Sequence, residues 1–198
     1  SVSIFDSSNA FVSSHATISD AIANWTAGDR IEVGPGTYKE QVRILSKDGI
    51  IIEGVGDPII EAPDTPVAAS GNSDAVAVVE MLLSDHVTFT GFVIDGDTLT
   101  TKPGPNAGTD LWAGIYMENS TGVLEGLTIR DLARMEAGDV HGETNVYAIW
   151  ASDPAVDNDL FDGVDTVIDR ELTIHNNSIL GFSGAFGQTA VSITGPLT

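Results

Sequence analysis

The chain has no cysteine and few cations, and both shortages narrow the classes of protein to which it can belong. Without cysteine, neither a disulfide framework nor a cysteine-based zinc site can hold the fold, so its stability must come from an apolar core. Only 8 of the 198 residues are Lys or Arg, against 29 Asp or Glu, which gives a net charge of −21. Nucleic acids and anionic membrane surfaces both bind through Lys and Arg, and we therefore expect neither as a partner.

Long apolar runs are also missing, and no stretch of the sequence is long enough to span a bilayer. The apolar share is nevertheless 42%, which is enough to build a core, so the high net charge does not indicate disorder. We expect a single domain over residues 1–198. Ser1 opens the chain without a signal-like segment, and the acidic, cysteine-free composition fits both a reducing cytosol and an extracellular setting. Of the two, we predict a secreted or cell-surface protein.

A short strand-like pattern recurs along the chain and ends each time in Gly or Asn. The strand-ending residues are Gly54, Gly91, Gly126 and Asn176, at intervals of 37, 35 and 50 residues. Gly and Asn adopt positive φ more readily than other residues, and a sharp turn between strands often requires it. A second alternating segment recurs in step with the first, at 78–81, 114–117, 148–151 and 190–193. Together these segments predict coils of three short strands, stacked into a solenoid without helices in the repeat.

One helix is predicted, at residues 17–25, before the repeats begin. Its apolar residues lie at positions 18, 21, 22 and 25, which is one helical face, and Thr17 or Ser19 can cap its first turn. We expect this helix to cover the open end of the stack, with coils over 30–198 and insertions at 95–113, 131–145 and 152–170. Residues 190–195 resemble the opening strand of a further coil. We therefore expect the stack to be truncated at its C-terminal end, and either to continue in a longer chain or to associate end to end.

These segments carry a resemblance to a known family. Residues 17–44, which include the turn Gly34-Pro35-Gly36-Thr37-Tyr38, resemble the opening of right-handed parallel β-helix proteins of the pectin-lyase-like superfamily. Residues 172–179 resemble its common coil pattern, with Asn177 as a candidate inward asparagine. The resemblance implies an all-β fold, a right-handed parallel β-helix (solenoid) of about five coils with an N-terminal capping α-helix.

The same superfamily contains pectate lyases, alginate lyases, mannuronan epimerases and non-catalytic surface proteins. The resemblance therefore implies a secreted protein with extracellular polysaccharide as its partner. If it is an enzyme, a polysaccharide lyase, epimerase or hydrolase is expected. The catalytic motifs of the known lyases and epimerases are absent from this sequence, so the resemblance assigns no catalytic role to any residue.

Strand alternation predicts columns of outward side chains, with neighbouring coils about 4.8 Å apart. One column holds Glu53, Thr90, Glu125 and His175, and another holds Glu80, Tyr116, Trp150 and Ser192. Aromatic faces suit stacking against sugar rings, and carboxylates accept hydrogen bonds from sugar hydroxyls. The candidate substrate-binding residues are Glu80, Tyr116, Trp150, Glu125 and His175. Alternatively, Tyr116 and Trp150 pack beneath the long loops as a second small core.

Charged residues in and next to the second insertion are candidates for catalysis. Elimination from a uronate polymer needs a cation to neutralise the substrate carboxylate and a base to remove the neighbouring proton. Arg130 or Arg134 can meet the first need, and His141 or Glu143 the second. The alternative is a solvated charged loop with local ion pairs.

The third insertion is rich in aspartate and predicts calcium as the cofactor. Its candidate metal ligands are Asp153, Asp157, Asp159, Asp162 and Asp165, because Ca²⁺ prefers several oxygen ligands. A solvated acidic loop is the alternative. Two functions follow from the sequence. The first is binding or processing of extracellular polysaccharide, uronate-containing polymers included; the second is a non-catalytic, calcium-binding structural or adhesive scaffold within a larger surface or secreted protein.

Overall fold

The computed structural model describes residues 1–70, 72–73, 75–97, 111–132, 145–152, 172–180 and 188–194. Within these ranges the chain is all-β apart from one short helix. The first elements are β1 (Val2–Phe5), β2 (Phe11–His15) and α1 (Ile18–Asn24). The strands that follow are β3 (Arg30–Val33), β4 (Thr37–Lys39), β5 (Val42–Leu45), β6 (Ile51–Gly54), β7 (Ile59–Glu61), β8 (Ala75–Leu82), β9 (Val87–Thr90), β10 (Val93–Asp95), β11 (Leu111–Glu118), β12 (Gly122–Glu125), β13 (Thr128–Arg130), β14 (Asn145–Ser152), β15 (Leu172–His175), β16 (Ser178–Leu180) and β17 (Gln188–Thr194).

These strands form three sheets, and every pairing among β3 to β17 is parallel. Sheet A has the order β15-β12-β9-β6-β3-β1-β2, sheet B has the order β16-β13-β10-β7-β4, and sheet C has the order β17-β14-β11-β8-β5. After the helix the chain passes from sheet A to sheet B to sheet C, and it repeats this sequence five times. We call each round a rung. Over the described residues, the predicted all-β class and the three strands per repeat are confirmed.

Side chains alternate between the two faces of each sheet, and the inward ones form one continuous main core. In sheet A the inward positions of successive rungs are Ile31, Ile52, Phe89 and Leu124, all fully buried. Phe89 and Phe92 stack within this core with ring centroids 4.5 Å apart. Stacking one apolar residue on the next at every rung gives a core that extends with the number of rungs.

The four strand-ending residues occupy equivalent positions, as the sequence predicts. Positive φ is confirmed at Gly91 (76°), Gly126 (62°) and Asn176 (55°). At Gly54 the prediction is wrong, because its φ is not positive. Glycine is needed there because a Cβ atom would overlap the backbone carbonyl oxygen of Gly91 on the next rung. One column of small residues therefore serves two purposes, a turn conformation and a close approach of backbones.

Asn177 is the candidate inward asparagine, and it fastens two neighbouring rungs. Its side-chain amide donates to the Leu124 carbonyl oxygen at 3.0 Å and accepts from the Leu127 backbone N–H at 2.8 Å. The preceding positions in register are Leu127 and Phe92, so Asn177 stands alone there and no asparagine ladder forms over these rungs.

The helix covers the first rung as predicted, over residues 18–24. Thr17 is its N-cap and accepts from the Asp20 backbone N–H at 3.1 Å, while the Glu40 carboxylate accepts from the backbone N–H groups of Ile18 and Ser19. The apolar face is buried through Ile18, Ala21 and Ile22. The sequence did not predict the two strands at this end. They extend sheet A antiparallel, with β1 paired to β3 on one side and to β2 on the other.

The predicted insertions lie mostly outside the described residues. Strand β11 begins at Leu111, inside the predicted 95–113 insertion, because Trp112 is buried in the main core and draws the preceding residues into sheet C. Residues 98–110, 133–144, 153–171 and 195–198 fall outside the described part of the chain, and with them most of the three insertions and the C-terminal boundary.

Candidate functional site

The outer face of sheet C carries the predicted aromatic column. Glu80, Tyr116, Trp150 and Ser192 are adjacent in the register of β8, β11, β14 and β17, so the predicted alignment is confirmed. The structure adds Arg43 on β5, which is paired with Glu80. The interval from Arg43 to Glu80 is 37 residues, which is the repeat length, and this spacing was the signal that the sequence reasoning missed.

The two aromatic rings of this column stack on each other. The ring centroids of Tyr116 and Trp150 are 4.6 Å apart and their planes differ by 10°. Tyr116 is only 1% exposed, whereas Trp150 is partly exposed. Both belong to a second apolar cluster, separate from the main core, that also includes Ala69, Ala75, Ala77, Ala113, Leu111 and Tyr147. This arrangement fits the second interpretation of Tyr116, a small core outside the main one, while Trp150 keeps an accessible side.

A chain segment before β8, residues 67–70, lies over part of this face. Gln41 holds it by donating to the Val67 carbonyl oxygen at 3.0 Å and accepting from the Val67 backbone N–H at 2.7 Å. Arg43 donates to the Ala68 carbonyl oxygen at 2.6 Å. Two side chains at the start of sheet C therefore fix the segment on the outer face, and we call it the cover segment.

Glu80 is buried beneath the cover segment and fully engaged by it. Its carboxylate accepts hydrogen bonds from the backbone N–H and the hydroxyl of Ser70, and it forms an ion pair with Arg43 at 3.3 Å. Glu80 is 2% exposed. It therefore presents no free carboxylate to a sugar hydroxyl in this arrangement, and it anchors the cover segment instead. Alternation predicted the side of the sheet on which Glu80 lies but not what covers it.

The Tyr116 hydroxyl also already has a hydrogen-bond partner. It donates to Glu118 Oε2 at 2.6 Å. Burial raises the pKa of Tyr116, and the adjacent carboxylate of Glu118 raises it further because the phenolate would be repelled there. Tyr116 is therefore a neutral hydrogen-bond donor that positions the ring stack.

Sheet A carries the second predicted column, and three of its members make local side-chain contacts. Glu53, Thr90, Glu125 and His175 are adjacent in register, as predicted. Glu125 Oε2 lies 3.4 Å from His175 Nε2, and both side chains are about two-fifths exposed, at 42% and 43%. Glu53 pairs instead with Arg30 at 3.0 Å. The column is accessible to solvent, but it lies on a different sheet from the aromatic stack.

Arg130, the described member of the candidate catalytic set, lies on the outer face of sheet B. Its Nε and Nη2 atoms both lie 2.8 Å from Asp95 Oδ2, and its Nε lies 3.7 Å from Asp131 Oδ2. Two carboxylates already neutralise this guanidinium, which fits the alternative of local ion pairs. The other candidates, Arg134, His141 and Glu143, lie outside the described residues.

Among the described residues, the candidate substrate-binding residues and Arg130 therefore do not meet in one site. Trp150 belongs to sheet C, Glu125 and His175 to sheet A, and Arg130 to sheet B. The candidate calcium ligands, Asp153, Asp157, Asp159, Asp162 and Asp165, all lie outside the described residues. Within the described ranges, no three His, Asp or Glu side chains lie close enough together to hold a metal ion. None of the helices in that part of the chain is long and apolar enough to cross a membrane.

Comparison with known protein families, curated proteins and solved structures finds no match to this chain.

Proposed function

We propose that this chain is a right-handed parallel β-helix of the pectin-lyase-like kind and that it binds extracellular polysaccharide on the outer face of sheet C. The fold part of the proposal is supported by the five successive passes through three parallel sheets. The binding part is carried by one observation, the partly exposed Trp150 ring held flat against a buried Tyr116.

The stack suits a sugar ring because it is fixed before binding. Tyr116 covers one face of the indole, and the next strand in register has Ser192, a small residue, at the position after Trp150. A planar apolar face held in place loses little side-chain entropy when a ligand stacks on it. The apolar face of a pyranose is of comparable size to the indole. Sugar hydroxyls at the rim can be bound by solvent-exposed polar groups.

Charge decides which polysaccharides fit best. A net charge of −21 repels a uronate polymer unless a divalent cation lies between the two. Neutral polysaccharides are therefore the first candidates. Uronate polymers are candidates when calcium is bound between polymer and protein, and the Asp-rich stretch 153–165 is one place where we propose that calcium binds. Processing of the bound polymer by elimination or hydrolysis is a further step of the same proposal.

A panel of neutral and uronate polysaccharides, each with millimolar calcium and with a chelator, tests the proposal. Binding is measured by affinity electrophoresis, and elimination by the ultraviolet absorbance of unsaturated products. Trp150→Ala is expected to lower affinity about 10-fold, the loss of one aromatic stacking contact. Phe11→Ala is the matched control, since Phe11 is 62% exposed on sheet A and lies away from the stack.

If no polysaccharide in the panel is retained, or if Trp150→Ala binds as tightly as the wild type, the binding proposal is wrong. The same samples bear on the alternative scaffold function, because a calcium-binding scaffold melts at a higher temperature in calcium whether or not a polysaccharide is present.

A further inference from the structure

Three side chains near the start of the chain form a linear hydrogen-bonded series of hydroxyl, imidazole and carboxylate. Ser13 Oγ lies 2.8 Å from His15 Nε2, and His15 Nδ1 lies 2.8 Å from Asp20 Oδ2. No sequence motif marks these residues. Their spacing of two and five positions matches no nucleophile motif, and only the turn from β2 into α1 brings them together.

Local structure fixes each member of this series, which we call the Ser13 relay. Ser13 and His15 are two residues apart on β2, opposite Ile4 and Val2, so both lie on the side of the strand that faces α1. Asp20 lies in the first turn of α1, and its other carboxylate oxygen accepts from the Asn24 side chain at 3.2 Å. The imidazole is mostly buried, with 9% of its side chain exposed.

The partners determine where the protons lie. A carboxylate can only accept, so His15 Nδ1 carries the proton that binds Asp20. In the neutral imidazole Nε2 is then unprotonated, and the Ser13 hydroxyl donates to it. This is the protonation pattern in which an imidazole takes the proton of an attacking hydroxyl while a carboxylate holds the ring in place.

We infer that Ser13 is an activated nucleophile that cleaves carboxylic esters with small acyl groups. Ser13 Oγ bonds to the ester carbonyl carbon while its proton passes to His15 Nε2. The bond to the alcohol oxygen then breaks, and the alcohol leaves with that proton. Water attacks the acyl-serine with His15 again as base, which releases the carboxylic acid and restores the hydroxyl. Asp20 is a positioning residue for His15.

Ser13 lies on a strand that an ester can approach from solvent. Ser13 is only partly buried, and β2 is the terminal strand of sheet A, with no further strand paired to its outer edge in the described part of the chain. Alternate backbone N–H groups of such a strand point outward and can donate to the oxyanion of the intermediate. The register of β2 also shifts directly before Ser13, where Val12 has no partner on β1. Bulges of this kind often re-aim side chains beside active sites.

Covalent labelling tests this inference independently of polysaccharide binding. The protein is incubated with diisopropyl fluorophosphate, the adduct is counted by intact mass and located by peptide mass, and hydrolysis of p-nitrophenyl acetate is followed in parallel. We expect one adduct, on Ser13. Ser14→Ala is the matched control: Ser14 is exposed on the opposite face of β2, so this variant should be labelled like the wild type. Ser13→Ala should give no adduct.

Two further variants separate chemistry from folding. His15→Ala is expected to slow labelling about 100-fold, the usual contribution of a positioned base, and added imidazole should restore part of the rate. Asp20→Asn is expected to slow labelling about 10-fold, because Asp20 is 55% exposed and water partly screens its interaction with His15. Asp20→Glu should keep most of the labelling rate. Labelling that is absent from the wild type, unchanged in Ser13→Ala, or not rescued by imidazole in a folded His15→Ala variant would overturn the inference.

Discussion

Replacing Arg43 is expected to destabilise the protein more than replacing any solvent-exposed arginine, because it leaves the buried carboxylate of Glu80 without its cation. The Glu80 side chain is 3% exposed and that of Arg43 is 32% exposed, with the two charged groups 3.3 Å apart. Arg43→Met keeps most of the apolar length of the side chain and removes the charge and the hydrogen bond to Ala68.

The burial of each partner sets the magnitude. Removing one partner of a fully buried ion pair costs about 3–5 kcal/mol, because the remaining charge stays desolvated. One-third exposure of Arg43 lets water reach the site, and both hydrogen bonds from Ser70 to Glu80 remain. We therefore expect a cost of about 2–3 kcal/mol for Arg43→Met, at or just below the lower end of that range.

A double-mutant cycle isolates the pair. Glu80→Gln removes the charge at nearly constant volume, and we expect it to cost about 1–2 kcal/mol through weaker hydrogen bonds to Ser70. In the double variant no uncompensated charge is buried. Its cost should therefore be smaller than the two single costs combined, by about 1–2 kcal/mol. Urea denaturation followed by far-ultraviolet circular dichroism measures each free energy of unfolding.

Arg30→Met is the matched control for the cycle. Arg30 contacts two carboxylates, Glu32 and Glu53, each at 3.0 Å. The Arg30 side chain is 24% exposed, and the carboxylate side chains, unlike that of Glu80, are 37% and 40% exposed. Pairs whose carboxylate is solvated in this way contribute about 1 kcal/mol or less. If Arg43→Met costs no more than Arg30→Met, or if the double variant costs as much as the two single changes together, the buried-charge reasoning is refuted.

Two further predictions concern the rung contacts and the alkaline limit of stability. Gly54→Ala should lower the free energy of unfolding, measured by urea denaturation, by about 3 kcal/mol, because the added Cβ meets the Gly91 carbonyl. Gly49→Ala is the control, with a φ of 72° but open space around it, and should lower the free energy of unfolding by about 1 kcal/mol. Equal losses in the two variants would contradict the close-approach argument. The raised pKa of Tyr116 means that the unfolded chain releases the phenolic proton near pH 10 while the folded chain retains it, so the free energy of unfolding should fall as pH rises above 10. Tyr116→Phe should reduce this slope, and an unchanged slope would contradict the assignment.

Periodicity explains why the register could be predicted from the sequence. Each rung stacks directly on the previous one, so a residue type that suits one position recurs about one repeat later at the same place. The alignment of Tyr116 with Trp150 and of Glu125 with His175 follows from this recurrence and from strand alternation alone. Gly54 shows where prediction from the repeat stops. The recurrence identified the equivalent position, but the reason for glycine there is a backbone approach that only the packed rungs define.

Burial of the outer face could not be predicted in the same way. Alternation indicates which side of a sheet a residue faces, whereas exposure depends on what lies over that side. The contacts that hold the cover segment join Gln41 to Val67 and Arg43 to Ala68, across 26 and 25 residues. The Ser13 relay escaped prediction for a similar reason, because Asp20 reaches His15 only when the helix turns back on β2.

The distribution of cations bears on which ligand the molecule can bind. Each of the five cations in the described part of the chain already has a partner. Arg30, Lys39, Arg43 and Arg130 pair with carboxylates, and Lys47 lies over the Trp25 ring at 5.5 Å. A polyanion approaching these surfaces would have to displace an existing ion pair and would meet a large excess of negative charge. A neutral polysaccharide meets neither obstacle, because stacking on Trp150 requires no counter-charge. The geometry of the stack and the electrostatics of the whole chain therefore favour the same class of ligand.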